Sequence, residues 1–337
     1  MRAISVGIAW HPGLSIFASE SFLKTVSGEY GWIGGVDASG ALACVLPYSV
    51  LRRGLFRLVR FPVQTIALTN GLAIEEERAF LNGVVAHFRS AGTDVIIPAT
   101  FSTVFRTYPD GAMAAPYGSY VVDLGQTEDA LWKQVHHKHR NVIRNAEKKG
   151  VTIKSGAEYL EAAYKLTLES FRRSAKGFLA RRRVESRMDF DVFKRLVDTL
   201  GDNVRVLVAE YEGVVQSCAV IPFSTHSAYY MHGGNIASPL TGASNFLQWE
   251  AMRLFRGLGV RRYDFFGARI DPDKGSKAEG IMKFKERFGG EFTQGYMWKW
   301  SFRPMKYAMY AVAARVRSGG DVVDQERHKL NGGWLRT

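Results

Sequence analysis

Three groups of side chains in this sequence could do chemistry. The first is the run GI-x2-FKERFGG at 280–290, where Lys283, Lys285 and Arg287 alternate around Phe284. A cation held beside a reacting carbonyl stabilises the oxyanion that forms there, and a flat ring accepts a nucleobase by stacking. On a helix these three cations cannot all face one point, and Ile281, Phe284 and Phe288 share a helical face that equally suits a core. The second group is the segment FRRSAKGFLARRRVESRMDF at 171–190, whose Arg181, Arg182, Arg183 and Arg187 suit phosphate oxygens. The third handles protons: His232 in YYMHGG, Asp264 in YDFFG, and Asp110 in a loop-like region over 99–118. A neutral imidazole, with an ordinary pKa of about 6.5, accepts the proton of an attacking ammonium near neutral pH. A lone strand histidine is also a common structural residue, and both readings of His232 stay open.

Other chemistries find no support. No Ser-His-Asp or Cys-His spacing points to a covalent intermediate. Cys44 and Cys218 sit in apolar strand patterns and are expected as buried thiols. His136, His137 and His139 have no accompanying carboxylate pattern, so no metal is expected.

The elements that must position these residues follow from hydrophobic spacing. Tyr229 to Met231 alternates as a strand, and Phe246, Trp249, Met252 and Phe255 recur as on a helix, capped by Ser244 or Asn245. Arg262 to Phe266 reads as a buried strand, followed by a glycine-punctuated loop and a short basic helix over 277–288. In the first half, a strand over 4–9 precedes a helix capped by Ser19. The runs 31–36 and 41–48 form a hairpin about the turn DASG, a helix spans 74–90, and DVIIP is a buried strand. Thr127 to Lys149 reads as one long polar helix carrying Lys138, Arg140 and Arg144. Ser186 is the expected cap of a helix over 187–200, and 204–211 with 214–223 form a second hairpin.

The two hairpins betray an internal repeat. GALACVLPYS at 40–49 matches GVVQSCAVIPFS at 213–224, and the Phe80-Leu81 and Phe88-Arg89 pairs are echoed by Phe246-Leu247 and Phe255-Arg256. Two related units in tandem are therefore expected, over 1–124 and 125–303, with a C-terminal helix and loose tail over 304–337.

Composition agrees with a globular protein. The 337 residues are 46% hydrophobic and 23% charged, and no run of about eighteen apolar residues exists to span a bilayer. A cytoplasmic protein is expected. The formal charge of +13 suits a polyanionic partner or an anionic membrane surface. Near the C-terminus, Trp298, Trp300, Tyr307 and Tyr310 stand among Arg303, Lys306, Arg315 and Arg317, which fits either a membrane interface or a helix docked on the second unit.

The order strand, helix, strand, loop, helix over 229–292 resembles the second half of a GNAT acyltransferase. GAS-x3-QWEA, YDFFG and GI-x2-FKERFGG together resemble the FemABX family, which transfers amino acids from aminoacyl-tRNA to amines. The W-x7-R-x3-R-x-A-x3-GV pattern from Trp132 adds to this resemblance. It implies an α/β protein of two tandem GNAT-like domains, with mixed sheets flanked by helices, and an aminoacyltransferase acting on a small peptide, nucleotide-linked peptide or other peptidoglycan-precursor-like acceptor. By the same resemblance, Lys285 lies near the ester; His232 departs from the family pattern, which can carry a tyrosine there, and His232 and Asp264 are further catalytic candidates on their own chemistry. Phe284, Lys283, Arg287, Lys138, Arg140 and Arg144 face tRNA. Arg187, with Arg181, Arg182 and Arg183 as rivals, meets an acceptor diphosphate, and Lys24, Tyr230 and Asp110 complete the substrate contacts. No cofactor is implied, since aminoacyl-tRNA is the co-substrate. The helical arm of some family members is absent, so a monomer is expected, with peripheral membrane contact as an option. The alternative is an acyl-CoA-dependent N-acyltransferase of the same fold, in an exopolysaccharide or lipid pathway. The loop NIASPLTGASN at 235–245 weighs against it, having one glycine and no basic residue where CoA-dependent relatives cradle pyrophosphate.

Overall fold

A computed structural model describes residues 1–69, 71–99, 103–174, 189–318 and 320–330. Arg181, Arg182, Arg183 and Arg187 lie outside the described residues. The first half opens with β1 (Arg2–Val6), then α1 (Glu20–Val26), whose first turn is capped by the Ser19 hydroxyl. Strands β2 (Glu29–Val36) and β3 (Leu42–Arg53) form the expected hairpin, with Asp37 accepting N–H bonds from Ser39 and Ala41 inside the turn. β4 (Phe56–Arg60) and β5 (Ile66–Ala67) both pair with β3. α2 (Ile74–Ser90) buries Phe80, Leu81, Val84 and Phe88, and Gly92 ends it at a φ of 71° that favours glycine. β6 (Val95–Ile96) and β7 (Met113–Asp123) follow. Tyr117, expected in a loop, lies inside β7.

The polar helix expected over 127–149 is in fact two. α3 (Glu128–Gln134) stops at Val135, and His136 caps α4 (His137–Lys148) with its ring nitrogen. The break sits at Val135, whose backbone is extended (φ −60°, ψ 125°), and the His136 ring then accepts the Lys138 N–H to start a new helix.

The second half repeats the first. β8 (Thr152–Ser155) and α5 (Leu160–Ser174) lead to α6 (Phe190–Leu200), capped by Asp189, while Ser186 lies outside the described residues. β9 (Val204–Tyr211) and β10 (Val214–Pro222) are the second hairpin. The expected 229–231 strand is split between β11 (Ala228–Tyr229) and β12 (His232–Asn235). α7 (Ala243–Gly257), β13 (Arg262–Asp264), α8 (Lys277–Glu286) and β14 (Glu291–Ser301) complete the unit. Phe80 and Leu81 on α2 and Phe246 and Leu247 on α7 are all buried, so the sequence repeat is a repeat of packing.

The halves interlock through their last strands. Along the ten-stranded sheet the order is β1-β2-β3-β4-β6-β14-β7-β13-β11, with β5 beside β3, while β12-β10-β9-β8 form a separate sheet. β14 thus lies between β6 and β7 of the first half, and β7 lies between β14 and β13 of the second. The sheet runs straight across residue 124. Two helices close the chain: α9 (Pro304–Ser318) and α10 (Val322–Leu330). α9 docks on the first half, not the second, because Tyr307 and Tyr310 pack over Leu58, Val95 and Ile97. Within the tail expected to be loose, Val322–Leu330 form α10, which buries Val323 against Tyr117 and Met297, and residues 331–337 lie outside the described residues.

Candidate active site

The site lies where one strand divides between two sheets. Tyr229 pairs in parallel with Asp264, and the Tyr230 N–H still donates to the Asp264 carbonyl at 2.9 Å. Beyond that point the arms part. His232 turns to pair with Val220 on β10, while Phe265 donates to the Tyr120 carbonyl. Two glycines make the turn feasible. A Cβ on Gly233 would meet the Tyr230 hydroxyl at 1.9 Å, and one on Gly234 the Leu166 carbonyl at 2.2 Å. The result is a V-shaped notch between β12 and the chain leaving β13.

Asp264 and Lys285 are brought together at the β13 arm. The buried Asp264 carboxylate accepts from the Ser119 hydroxyl at 2.5 Å and the Phe266 N–H at 2.8 Å. Burial pushes its pKa up, against the pull of those two donors. Phe266 adopts a φ of 63°, rare for an aromatic residue, at the start of the loop whose carbonyls face Lys285. There Lys285 Nζ donates to the carbonyls of Phe266 and, at 2.8 Å, Gly267. Burial lowers the lysine to about 8, with Asp264 opposing the shift. An amine held this way near neutral pH is within reach of both protonation states, as proton transfer during acyl chemistry requires.

His232 stands on the other arm. Its Nδ1 is buried with no hydrogen-bond partner among the described residues, its ring lies 5.2 Å from Phe193, and burial lowers its pKa to about 4. It is neutral at working pH, but so weak a base has little pull on an ammonium proton. Tyr230, half-buried over Gly233, lines the turn. The first half closes the floor. Ser15 Oγ meets the Tyr229 hydroxyl at 2.8 Å, and the Phe17 ring packs 4.4 Å from Tyr229 and 6.1 Å from Phe266.

On α8 the cations separate as their spacing requires. Lys285 points inward, whereas Lys283 is exposed and paired with Glu279 at 2.6 Å. Phe284 and Phe288 pack on His139, but Ile281, expected on the same buried face, is 45% exposed. The His136 N–H donates to the Arg287 carbonyl at 2.8 Å, joining the end of α8 to the start of α4. Arg287 and Lys138 both act on the His136 ring there, where burial, His137 and these two cations depress its pKa. Arg140 and Arg144 continue this basic surface along α4, with Arg144 over the Trp132 ring.

The start of α7, where a CoA pyrophosphate would bind, is closed by α4. Gly242 takes a φ of 92°, and a Cβ there would lie 2.2 Å from the Val142 carbonyl. The nearby Leu240 and Ala243 N–H groups already donate, to the Gln216 side chain and the Leu240 carbonyl. A carbonyl oxygen facing this turn repels phosphate.

Other expected contacts lie apart. Asp110 exchanges two 2.8 Å bonds with Asn82 on α2, fastening a loop of the first half. Lys24 is exposed and pairs with Glu20 at 3.1 Å. Beside it is a cavity of about 320 Å³ lined by Trp10, Ser19, Glu20 and Trp32, among others. Sequence reasoning missed Ser119, Phe266 and this tryptophan pair. A serine in GSY and two isolated tryptophans carry no local pattern, and a positive φ at phenylalanine leaves no trace in sequence.

A family model described as an acetyltransferase (GNAT) domain matches residues 133–285. The chain is 31% identical over 97 residues to a lipid II:glycine glycyltransferase of Staphylococcus epidermidis, covering 28% of this chain and 23% of that protein. It is 33% identical over 79 residues to the protein of that name from Staphylococcus aureus, covering 23% and 19%. The chain therefore matches less than a quarter of the length of these relatives. The crystal structure of FemX superposes with a TM-score of 0.64 at 14% identity, over 89% of this chain and 95% of that one, a likeness of fold. The chain is thus similar over part of its length to GNAT acetyltransferase domains and to lipid II:glycine glycyltransferases, and shares the fold of FemX.

Proposed function

We propose that this protein is an aminoacyltransferase that moves an amino acid from aminoacyl-tRNA to the amine of a peptide or peptidoglycan-precursor-like acceptor. The observation that carries this reading is the Lys285 amine, buried on the Phe266 and Gly267 carbonyls beside Asp264. The donor ester is already activated, so the enzyme has only to orient the amine, accept its proton and stabilise the oxyanion. The acceptor nitrogen attacks the ester carbonyl, a C–N bond forms, and the C–O bond to the terminal ribose breaks. Protonated Lys285 is suited to stabilising the oxyanion and to passing its proton to the departing ribose oxygen, and the proton lost by the attacking nitrogen restores it. Asp264, fixed by Ser119, positions the loop whose carbonyls hold that lysine.

The basic surface of Lys138, Arg140, Arg144 and Arg287 supports tRNA as the carrier of the donor, and the Trp10–Trp32 cavity beside Lys24 is suited to part of the acceptor. A soluble nucleotide-linked peptide and a lipid-linked one both fit this chemistry. The second would place the protein against a membrane from the cytoplasmic side. The closed start of α7 weighs against an acyl-CoA donor.

The test is a titration of the protein with charged tRNA and with acetyl-CoA at low and moderate salt. The reading expects salt-sensitive tRNA binding that weakens in an Arg140→Ala, Arg144→Ala variant, and no acetyl-CoA binding below millimolar concentration. Micromolar acetyl-CoA binding with no salt-sensitive tRNA affinity would overturn it.

A further inference from the structure

The helix α9 carries an apolar stripe on its outer side. Inward, Lys306 donates to Asp94 at 2.8 Å, Tyr307 lies under Lys299, and Tyr310 covers Leu58, Val95 and Ile97. Outward, Met305 is 86% exposed, Met309 60%, Val312 63% and Val316 71%, with exposed Ala308 and Ala313 between them. Steps of four, three and four residues align these side chains in one stripe, which on a helix that only docks would face the core. Leu55 extends the patch. It is 84% exposed at the β3–β4 turn, and its carbonyl accepts from Lys306 Nζ at 2.8 Å. A contiguous exposed apolar surface of this kind marks a contact site.

The charges around it choose the partner. No acidic residue lies on α9. Exposed Arg303 and Arg315 stand near its two ends, and exposed Arg53 beside Leu55, with Arg303 also paired to the buried Asp94. Two copies meeting face to face would bring the same arginines against each other, which opposes self-association. An anionic bilayer meets both features at once: methionine and valine side chains enter the acyl boundary while guanidinium groups reach lipid phosphates.

We propose that the outer face of α9, with Leu55, is a docking surface for an anionic lipid bilayer. The docked chain lies on the membrane and does not span it, since no helix among the described residues is long and apolar enough to cross. The proposal gives the membrane contact of the previous section a definite surface but does not rest on the identity of the acyl donor.

Vesicle flotation tests it, with phosphatidylglycerol mixed into phosphatidylcholine and with phosphatidylcholine alone. The wild type should float with the anionic vesicles and hardly with the neutral ones. Met305→Glu, Met309→Glu should lower the affinity for anionic vesicles by roughly tenfold or more. Both positions are exposed, so circular dichroism and transfer to a water-soluble acceptor should stay unchanged. Wild type that floats with neither vesicle, or a variant that floats as well as wild type, would overturn the proposal. So would a wild-type dimer in sedimentation velocity that the same substitutions dissolve, because the stripe would then belong to a second copy. Flotation is read without any donor substrate, so failure here and failure of the aminoacyl-transfer reading are separable.

Discussion

The account turns on the amine of Lys285 and on what holds it. Its pKa near 8 means the folded chain releases this proton before the unfolded chain does, whose lysines titrate near 10.4. Between those values the unfolded state binds more protons, so the lysine makes stability rise with pH from about 8 upward, and below pH 8 the cost of burying the charge is fully present. Lys285→Met should therefore show a flatter stability profile than wild type between pH 8 and 10.5, read by urea unfolding at several pH values. The same variant should lose transfer by roughly 10²–10³-fold with its circular dichroism intact. Parallel stability profiles, or transfer within a few-fold of wild type, would remove the lysine from the mechanism. The resemblance led to Lys285, but its surroundings were not legible. Ser119 is 145 residues from Asp264, and its bond to that carboxylate depends on strands from different halves lying side by side.

Among the elements, the contact between α4 and the start of α7 is the feature that weighs against an acyl-CoA donor in the proposed reading. Gly242 makes the contact, since both its φ of 92° and the Val142 carbonyl exclude a side chain. Gly242→Ala should cost about 2 kcal/mol or more in urea unfolding, from strain and displacement of α4 together. A loss below about 0.5 kcal/mol, the range of a surface change, would mean that α4 is not pressed against this turn. The single glycine and the lack of a basic residue in this loop were readable in the sequence, while the packing of α4 against it was not foreseen. The segment over 127–149 reads as uninterrupted helix because His136 gives no sequence sign of being a cap. Its backbone N–H meets the Arg287 carbonyl only in the folded chain.

In the whole molecule, the exchange of β7 and β14 makes the halves mutually dependent. The repeat of hairpin and helix was readable from the Cys44 and Cys218 segments and from the paired phenylalanines, because each pattern is local. The interlock was not readable, since β7 and β14 alternate as ordinary strands and nothing in either says which half it completes. Residues 125–337 alone should therefore fail to fold, because β13 and β14 both lose β7 as a neighbour. Well-dispersed amide resonances from that fragment would show an autonomous second half instead. The central claim concerns the donor, and the most direct measurement is single-turnover transfer to a peptide amine, supplied in turn with charged tRNA and with acetyl-CoA. The account predicts an amide carrying the tRNA's amino acid, with no acetylated product. An acetylated peptide with no aminoacyl product would contradict it.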